Sequence, residues 1–139
     1  MKVLLDTKVL SELRRPAGDP RVKASVRRLR ADAVYLSVIC LGELIRGVEK
    51  LPVGEKRQSL SAWLSILGTH FAERILGVDL EVARFWGEVT GSAQKQGGNL
   101  SIADGLIAAT AMRHGLHLFT RNAKDFAKTG VRVVNPWVD

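Results

Sequence analysis

The sequence predicts an α/β domain with a central, mostly parallel sheet and helices on both faces. Three observations support this. Short apolar runs alternate with longer stretches of helical period along the whole chain. The first run, Val3-Leu4-Leu5, is uniformly apolar and reads as a buried strand. Polar residues follow the strands directly, Asp6 after the first and Thr120-Arg121-Asn122 after the fourth. In open α/β sheets that carboxyl edge is where sites gather.

Each element has a local reason. Val9 to Arg14 suits a first short helix, broken by Pro16 and Gly18. From Pro20 to Arg30, Val22, Val26 and Leu29 recur at helical spacing, with arginines on the other face. Val34 to Leu36 is a short strand, and Ser37 is the N-cap of a helix reaching Lys50. Pro52 and Gly54 punctuate before a helix over Glu55 to His70. Arg74 to Val78 reads as a strand, and Leu80 to Gln96 as a helix stopped by Gly97-Gly98-Asn99. Ser101 opens a strongly apolar helix ending near Gly115. His117 to Thr120 is a strand, Ala123 to Ala127 a short helix, and Val131 to Val134 closes the sheet.

One domain over residues 1–139 is the expectation, since that length suits a single core. Apolar residues at 46% and charged residues at 25% exclude a disordered chain. No apolar run approaches the roughly 18 residues of a membrane span, and Lys2 and Asp6 interrupt the N-terminus, so the expected location is cytoplasmic. Cys40 is the single cysteine, so no intrachain disulfide forms, and it reads as a small buried hydrophobe. His70, His114 and His117 lack a third ligand at zinc spacing and read as structural or surface residues. A net charge of +7 suits an anionic partner, with Arg14, Arg15, Arg21, Lys23, Arg27, Arg28 and Arg30 crowded into the first quarter. The basic helix face is equally a solvated face or a phosphate-contacting one.

Three carboxylates stand in apolar surroundings. Asp6 ends the first strand, Glu43 is the only charge between Leu36 and Ile45, and Asp104 is the only one between Leu100 and Met112. An unpaired carboxylate in such a place is costly and needs a partner. Each has a local candidate. Asp6 can cap the following helix, Glu43 can pair with Arg46 one turn on, and Asp104 completes a Ser101-Ile102-Ala103-Asp104 capping box. The joint alternative brings all three around a hard divalent cation, Mg²⁺ or Mn²⁺, which prefers oxygen ligands.

The local strings go further. Leu4-Leu5-Asp6-Thr7, Ser37 to Leu44 followed by Gly47, Ala103-Asp104-Gly105-Leu106-Ile107-Ala108-Ala109-Thr110-Ala111, Thr120-Arg121-Asn122-Ala123-Lys124-Asp125-Phe126 and Asn135-Pro136-Trp137 occur in order along essentially the whole chain. The chain resembles PIN domains, specifically the VapC or FitB-like toxin branch of type II toxin–antitoxin systems. The resemblance implies a three-layer α/β/α PIN-like fold and a Mg²⁺- or Mn²⁺-dependent endoribonuclease. It implies catalytic and metal-holding roles for Asp6, Glu43 and Asp104. Thr7 and Thr120 match supporting positions, and Arg121 matches a basic position beside the site. Arg27 and Arg28 of the basic helix are expected to guide the RNA.

Two positions depart from the pattern. The family's fourth site position, often aspartate, falls on Asn122, with Asp125 one turn on as a substitute carboxylate. Where the family usually has asparagine after Asp-Thr, this chain has Lys8, an ammonium that would sit beside the acids, pair with Asp6 or Asp104 and oppose the cation. The expectation is an enzyme attenuated by Lys8. The alternative is an impaired PIN domain that only binds RNA or antitoxin. A receiver-like phosphoacceptor fits the order of acids poorly. Implied partners are an RNA substrate, a VapB/FitA-like antitoxin, and DNA through that antitoxin alone. A homodimer is implied, and a heterotetramer or larger assembly with antitoxin. Trp63 and Trp86 are candidates for the dimer contact, with core packing as the plainer role.

Overall fold

A computed structural model describes residues 1–139. The elements follow in the order β1 (Val3–Leu5), α1 (Thr7–Arg14), α2 (Pro20–Arg27), β2 (Val34–Ser37), α3 (Val38–Glu49), α4 (Glu55–His70), β3 (Ile75–Leu76), α5 (Leu80–Lys95), α6 (Ile102–Arg113), β4 (His117–Phe119) and β5 (Val133–Val134). The sheet order is β3-β2-β1-β4-β5, and every pairing is parallel. The sheet is therefore wholly parallel.

Val3, Leu4 and Leu5 are each fully buried. Successive strand residues face opposite sides, so both faces of β1 are covered and the architecture has three layers. Parallel connections are right-handed. That places the helices between β1 and β3 on one face and α5 and α6 on the other. Within these groups α1 packs on α2 and α3, α3 on α4, and α5 on α6. The core gathers β1, Leu36 of β2, Leu118 and Phe119 of β4, Val9 and Leu10 of α1, Val22 of α2 and Ile107 of α6. Val26 and Leu29, the rest of the predicted apolar stripe, pack against it.

Several boundaries differ from the sequence reading, each for a local reason. The first helix starts at Thr7, because the Asp6 carboxylate accepts the Thr7 N–H and the Asp6 carbonyl accepts those of Val9 and Leu10. The basic helix stops at Arg27 and is capped by Arg28. The predicted strand Arg74–Val78 shrinks to Ile75–Leu76, since Arg74 ends a 3-10 turn and Asp79 caps α5. The last strand keeps only Val133–Val134 of the predicted Val131–Val134, and the short helix near Asp125 is a 3-10 turn over Ala123–Phe126.

Candidate active site

The carboxyl edge of the sheet collects the acids. Asp6 leaves β1 and is 6% exposed. One carboxylate oxygen accepts the Thr7 N–H at 2.8 Å, and the other accepts the Thr120 hydroxyl at 2.7 Å. Thr120 follows β4 and is fully buried. Its oxygen also accepts the Asn122 N–H at 3.1 Å, which fixes the turn after the strand. Both threonines therefore hydrogen-bond to the acids, Thr7 through its N–H and hydroxyl and Thr120 through its hydroxyl.

Glu43 lies on the second turn of α3, a helix capped by Ser37, whose hydroxyl accepts the Ile39 N–H at 3.0 Å. The Thr7 hydroxyl donates to Glu43 Oε1 at 2.8 Å. Glu43 is thus bound to the residue after Asp6, and the expected local pair with Arg46 does not form. Asp104 sits on the first turn of α6, where its N–H donates to the Ser101 hydroxyl at 3.1 Å. Burial raises the Asp104 carboxyl above the ordinary aspartate range, and the charges of Asp6, Glu43 and Asp125 add to the effect against the opposing Ser101 hydroxyl. The Asp104 carboxyl therefore feels all three other acids.

The donor set fits a hard cation in chemistry, being all oxygen and carrying excess negative charge at one edge. No three of the His, Cys, Asp or Glu side chains converge tightly enough to ligate one ion together.

The remaining candidates fall at different distances from the acids. Asn122 is half-buried at the same edge, and Asp125 is exposed. Arg121 is exposed, with its guanidinium over the Trp137 ring at 5.2 Å. Lys8 is exposed and takes part in none of the chain's five ion pairs. The expected pairing of Lys8 with Asp6 or Asp104 is therefore absent. Arg27 and Arg28 end α2 and do not join the acids, since Arg28 lines a cleft with Lys2 and Tyr35 at the amino end of the strands.

Cys40 behaves as expected. It is fully buried, its thiol lies 3.6 Å from the Leu5 carbonyl, and burial pushes it up to about 12. His70 stacks edge-on against Phe71, His114 caps α6, and His117 lies in β4, all away from the acids. Trp63 is half-buried beneath Arg14, 5.9 Å from its ring.

Residue patterns alone did not single out the packing behind Asp104. A Cβ added to Gly105 would lie 2.8 Å from Thr90 Cγ2 and 3.0 Å from the Trp86 indole. This glycine lets α6 approach α5 closely, and the buried Trp86 Nε1 against it has no hydrogen-bond partner. A glycine directly after a candidate catalytic acid, inside an otherwise alanine-rich helix, was the available signal.

Comparison with known proteins agrees with this geometry. A family model described as PIN domain matches residues 3–131. The chain is 42% identical to Toxin FitB of Neisseria gonorrhoeae over 139 residues, covering 99% of each protein. It is 34% identical to VapC ribonuclease Y4jK of Sinorhizobium fredii, covering 97% of each. The solved structure of FitAB bound to an IR36 DNA fragment superposes with a TM-score of 0.90 at 40% identity, covering 97% of this chain and 95% of that one. Carboxylates gathered at the carboxyl edge of a parallel five-stranded sheet, together with these likenesses along nearly the full length, place the chain in the PIN-domain family, among its FitB- and VapC-like toxins.

Proposed function

We propose that this chain is a metal-dependent endoribonuclease toxin that hydrolyses RNA phosphodiester bonds, with Asp6, Glu43 and Asp104 as its catalytic and metal-holding acids. The observation that carries the reading is the tie of Glu43 to Asp6 through Thr7, with Asp104 close enough to feel both charges. A bound Mg²⁺ or Mn²⁺ would lower the pKa of a water and offset charge building on the phosphate. The chain's own part is positional. Thr120 and the Thr7 N–H hold both Asp6 oxygens, and the Thr7 hydroxyl orients Glu43. Asn122 and Asp125 lie at the margin of the same edge, where Asp125 adds charge and Asn122 an amide oxygen. Arg121, with its guanidinium over the Trp137 ring on the turn after β4, would meet the substrate backbone there.

The experiment is cleavage of total RNA by the purified chain with Mn²⁺, with EDTA, and by the Asp104→Asn variant. Metal-dependent cleavage lost in the variant supports the reading. An unchanged rate in EDTA or in Asp104→Asn sinks it. Lys8 attenuates the enzyme in this reading by adding an unpaired ammonium two residues from Asp6, so Lys8→Asn should raise both the rate and Mn²⁺ affinity. If the chain cleaves no RNA with either residue at position 8 yet still binds antitoxin, it is the binding-only form.

The partner in this reading is a VapB/FitA-like antitoxin, with DNA reached through it and a homodimer or larger assembly as its frame. A groove of about 300 Å³ runs between α1, α3 and α4. Its lining includes the apolar Leu44, Val48, Leu51 and Trp63, the acid Glu43, and the cations Arg14, Arg15 and Lys56. An antitoxin segment seated there would bring a cationic side chain to the acids.

A further inference from the structure

Several cations stand at the entry to the strands, alongside the acids Asp32 and Glu73. Lys2 immediately precedes β1, Arg74 precedes β3 and Arg132 precedes β5, while Arg28 and Arg30 lie on the turn that leads to β2. Lys2, Arg74 and Arg132 are placed by backbone contacts. The Lys2 carbonyl accepts the His117 N–H at 3.0 Å, Arg74 donates to the Val34 carbonyl at 3.0 Å, and Arg132 donates to the Gly115 carbonyl at 3.4 Å. His117, the first residue of β4, is held below the ordinary imidazole range by burial and then by the Arg132 charge.

At this edge lies a cleft of about 680 Å³, lined by Lys2, Arg28, Leu29, Arg30, Asp32 and Tyr35 among others. That volume is within the usual range for a small-molecule or nucleotide site. Its single carboxylate is already satisfied, because Arg30 grips Asp32 through two hydrogen bonds at 3.1 and 3.0 Å. Lys2 and Arg28 form no ion pair, and the Arg28 contact to Ser25 is long at 3.4 Å. Two cations outside any ion pair thus line a pocket whose remaining lining is Met1, Leu29, Ala33 and Tyr35, beside the Arg30–Asp32 pair.

We infer that this amino-edge cleft is a second nucleic-acid site, which holds the backbone phosphates of a single-stranded RNA on Lys2 and Arg28 and an unstacked base against Tyr35 and Leu29. Cationic grooves interleaved with aromatic side chains bind single strands in this way. A duplex keeps its bases stacked inside and has no use for the apolar wall. The cleft is separate from the acid edge: Lys2 and Asp6 stand at opposite ends of β1, about 13 Å apart along an extended strand. Positive charge at one edge and carboxylates at the other let one strand bind at the first without being repelled by the second. The inference rests on the nuclease reading only for the choice of RNA as partner, since it needs no cleavage.

The test is fluorescence anisotropy of a short labelled oligouridylate in EDTA, across a salt series. The Lys2→Glu/Arg28→Glu variant should weaken binding at least about fivefold and flatten the salt slope by about 1.4, or about 0.7 for each lost phosphate contact. Lys50→Glu/Lys95→Glu, with the same change in net charge at the C-cap of α3 and the end of α5, should leave affinity within about twofold of the parent. Tyr35→Leu should weaken the single strand several-fold, and the circular dichroism of each variant reports that it is folded. Equal weakening by the control pair, or no weakening by Lys2→Glu/Arg28→Glu, overturns the site. An equal loss on a DNA duplex of the same length overturns its single-stranded assignment. Chain that cleaves nothing with Lys8 or as Lys8→Asn, yet shows these losses, leaves this site standing and removes the nuclease reading. Cleavage lost in Asp104→Asn without these losses does the reverse.

Discussion

The hydroxyl of Thr120 donates to Asp6 Oδ2 at 2.7 Å across 114 residues of sequence, and both groups are buried. This contact joins the carboxyl ends of β1 and β4, which lie side by side in the sheet. It orients one oxygen of the acid, while the Thr7 N–H holds the other.

Thr120→Val keeps the shape and removes the hydroxyl. It leaves the Asn122 N–H without its acceptor and an Asp6 oxygen without its donor. A loss of about 1–3 kcal/mol in unfolding free energy is expected from urea titration, with weaker Mn²⁺ binding. Thr120→Ser should restore most of both. Wild-type metal affinity in Thr120→Val would show that the bond does not set the acid's position.

Asp104→Asn should separate activity from stability. Burial and the charges of Asp6, Glu43 and Asp125 disfavour the ionised Asp104 carboxyl in the folded chain. A neutral isostere at neutral pH relieves that repulsion, so thermal unfolding should occur at the same or a higher temperature while RNA cleavage disappears. A marked fall in Tm would mean that the carboxylate serves the fold.

Gly105→Ala should be harmful although alanine favours helices. The gain from helix propensity is about 1 kcal/mol. Against it, the new methyl would lie 2.8 Å from Thr90 Cγ2 and 3.0 Å from Trp86, and overpacking of that kind costs about 1–3 kcal/mol. Chemical denaturation should show net destabilisation, and adding Thr90→Ser, which removes Cγ2 but keeps the hydroxyl, should recover part of it. A stabilised Gly105→Ala would show that α5 and α6 separate freely.

Cys40 should resist a thiol reagent in the folded chain at neutral pH, since its thiol is buried and pushed up to about 12. One equivalent should react once the chain is unfolded in guanidinium. Rapid labelling of folded protein would reveal local opening between α3 and β1.

The α5 cap gives a pH signature. The Val82 N–H bonded to the Asp79 carboxylate at 2.9 Å holds that carboxyl below the ordinary aspartate range. A depressed carboxyl stabilises the fold above its unfolded pKa, near 3.9, and that stability is lost as pH falls through the folded value. Asp79→Ala should therefore unfold a few degrees lower at pH 7. The gap should close progressively below about pH 4. A gap independent of pH would assign the effect to something other than the charged cap.

Much of this protein was set by the chain itself. Element order, the Ser37 and Ser101 caps and the burial of Cys40 all rest on interactions with near neighbours or on apolar content. The strings around Asp6, Glu43 and Asp104 likewise carried the family in the sequence. Strand length was less legible, because Arg74 and Val131 look like strand residues until a neighbouring strand is there, or is not there, to receive their backbone. Tertiary structure alone decided the strand order, and with it the ties of Thr7 to Glu43 and Thr120 to Asp6. It also moved Arg28 to the edge opposite the acids and kept Lys8 out of any ion pair. The physical reason is range. A cap is made within a turn of its own residue. Which carboxylate meets which hydroxyl, and which charge faces which edge, depends on a parallel sheet that brings residues more than a hundred positions apart into contact.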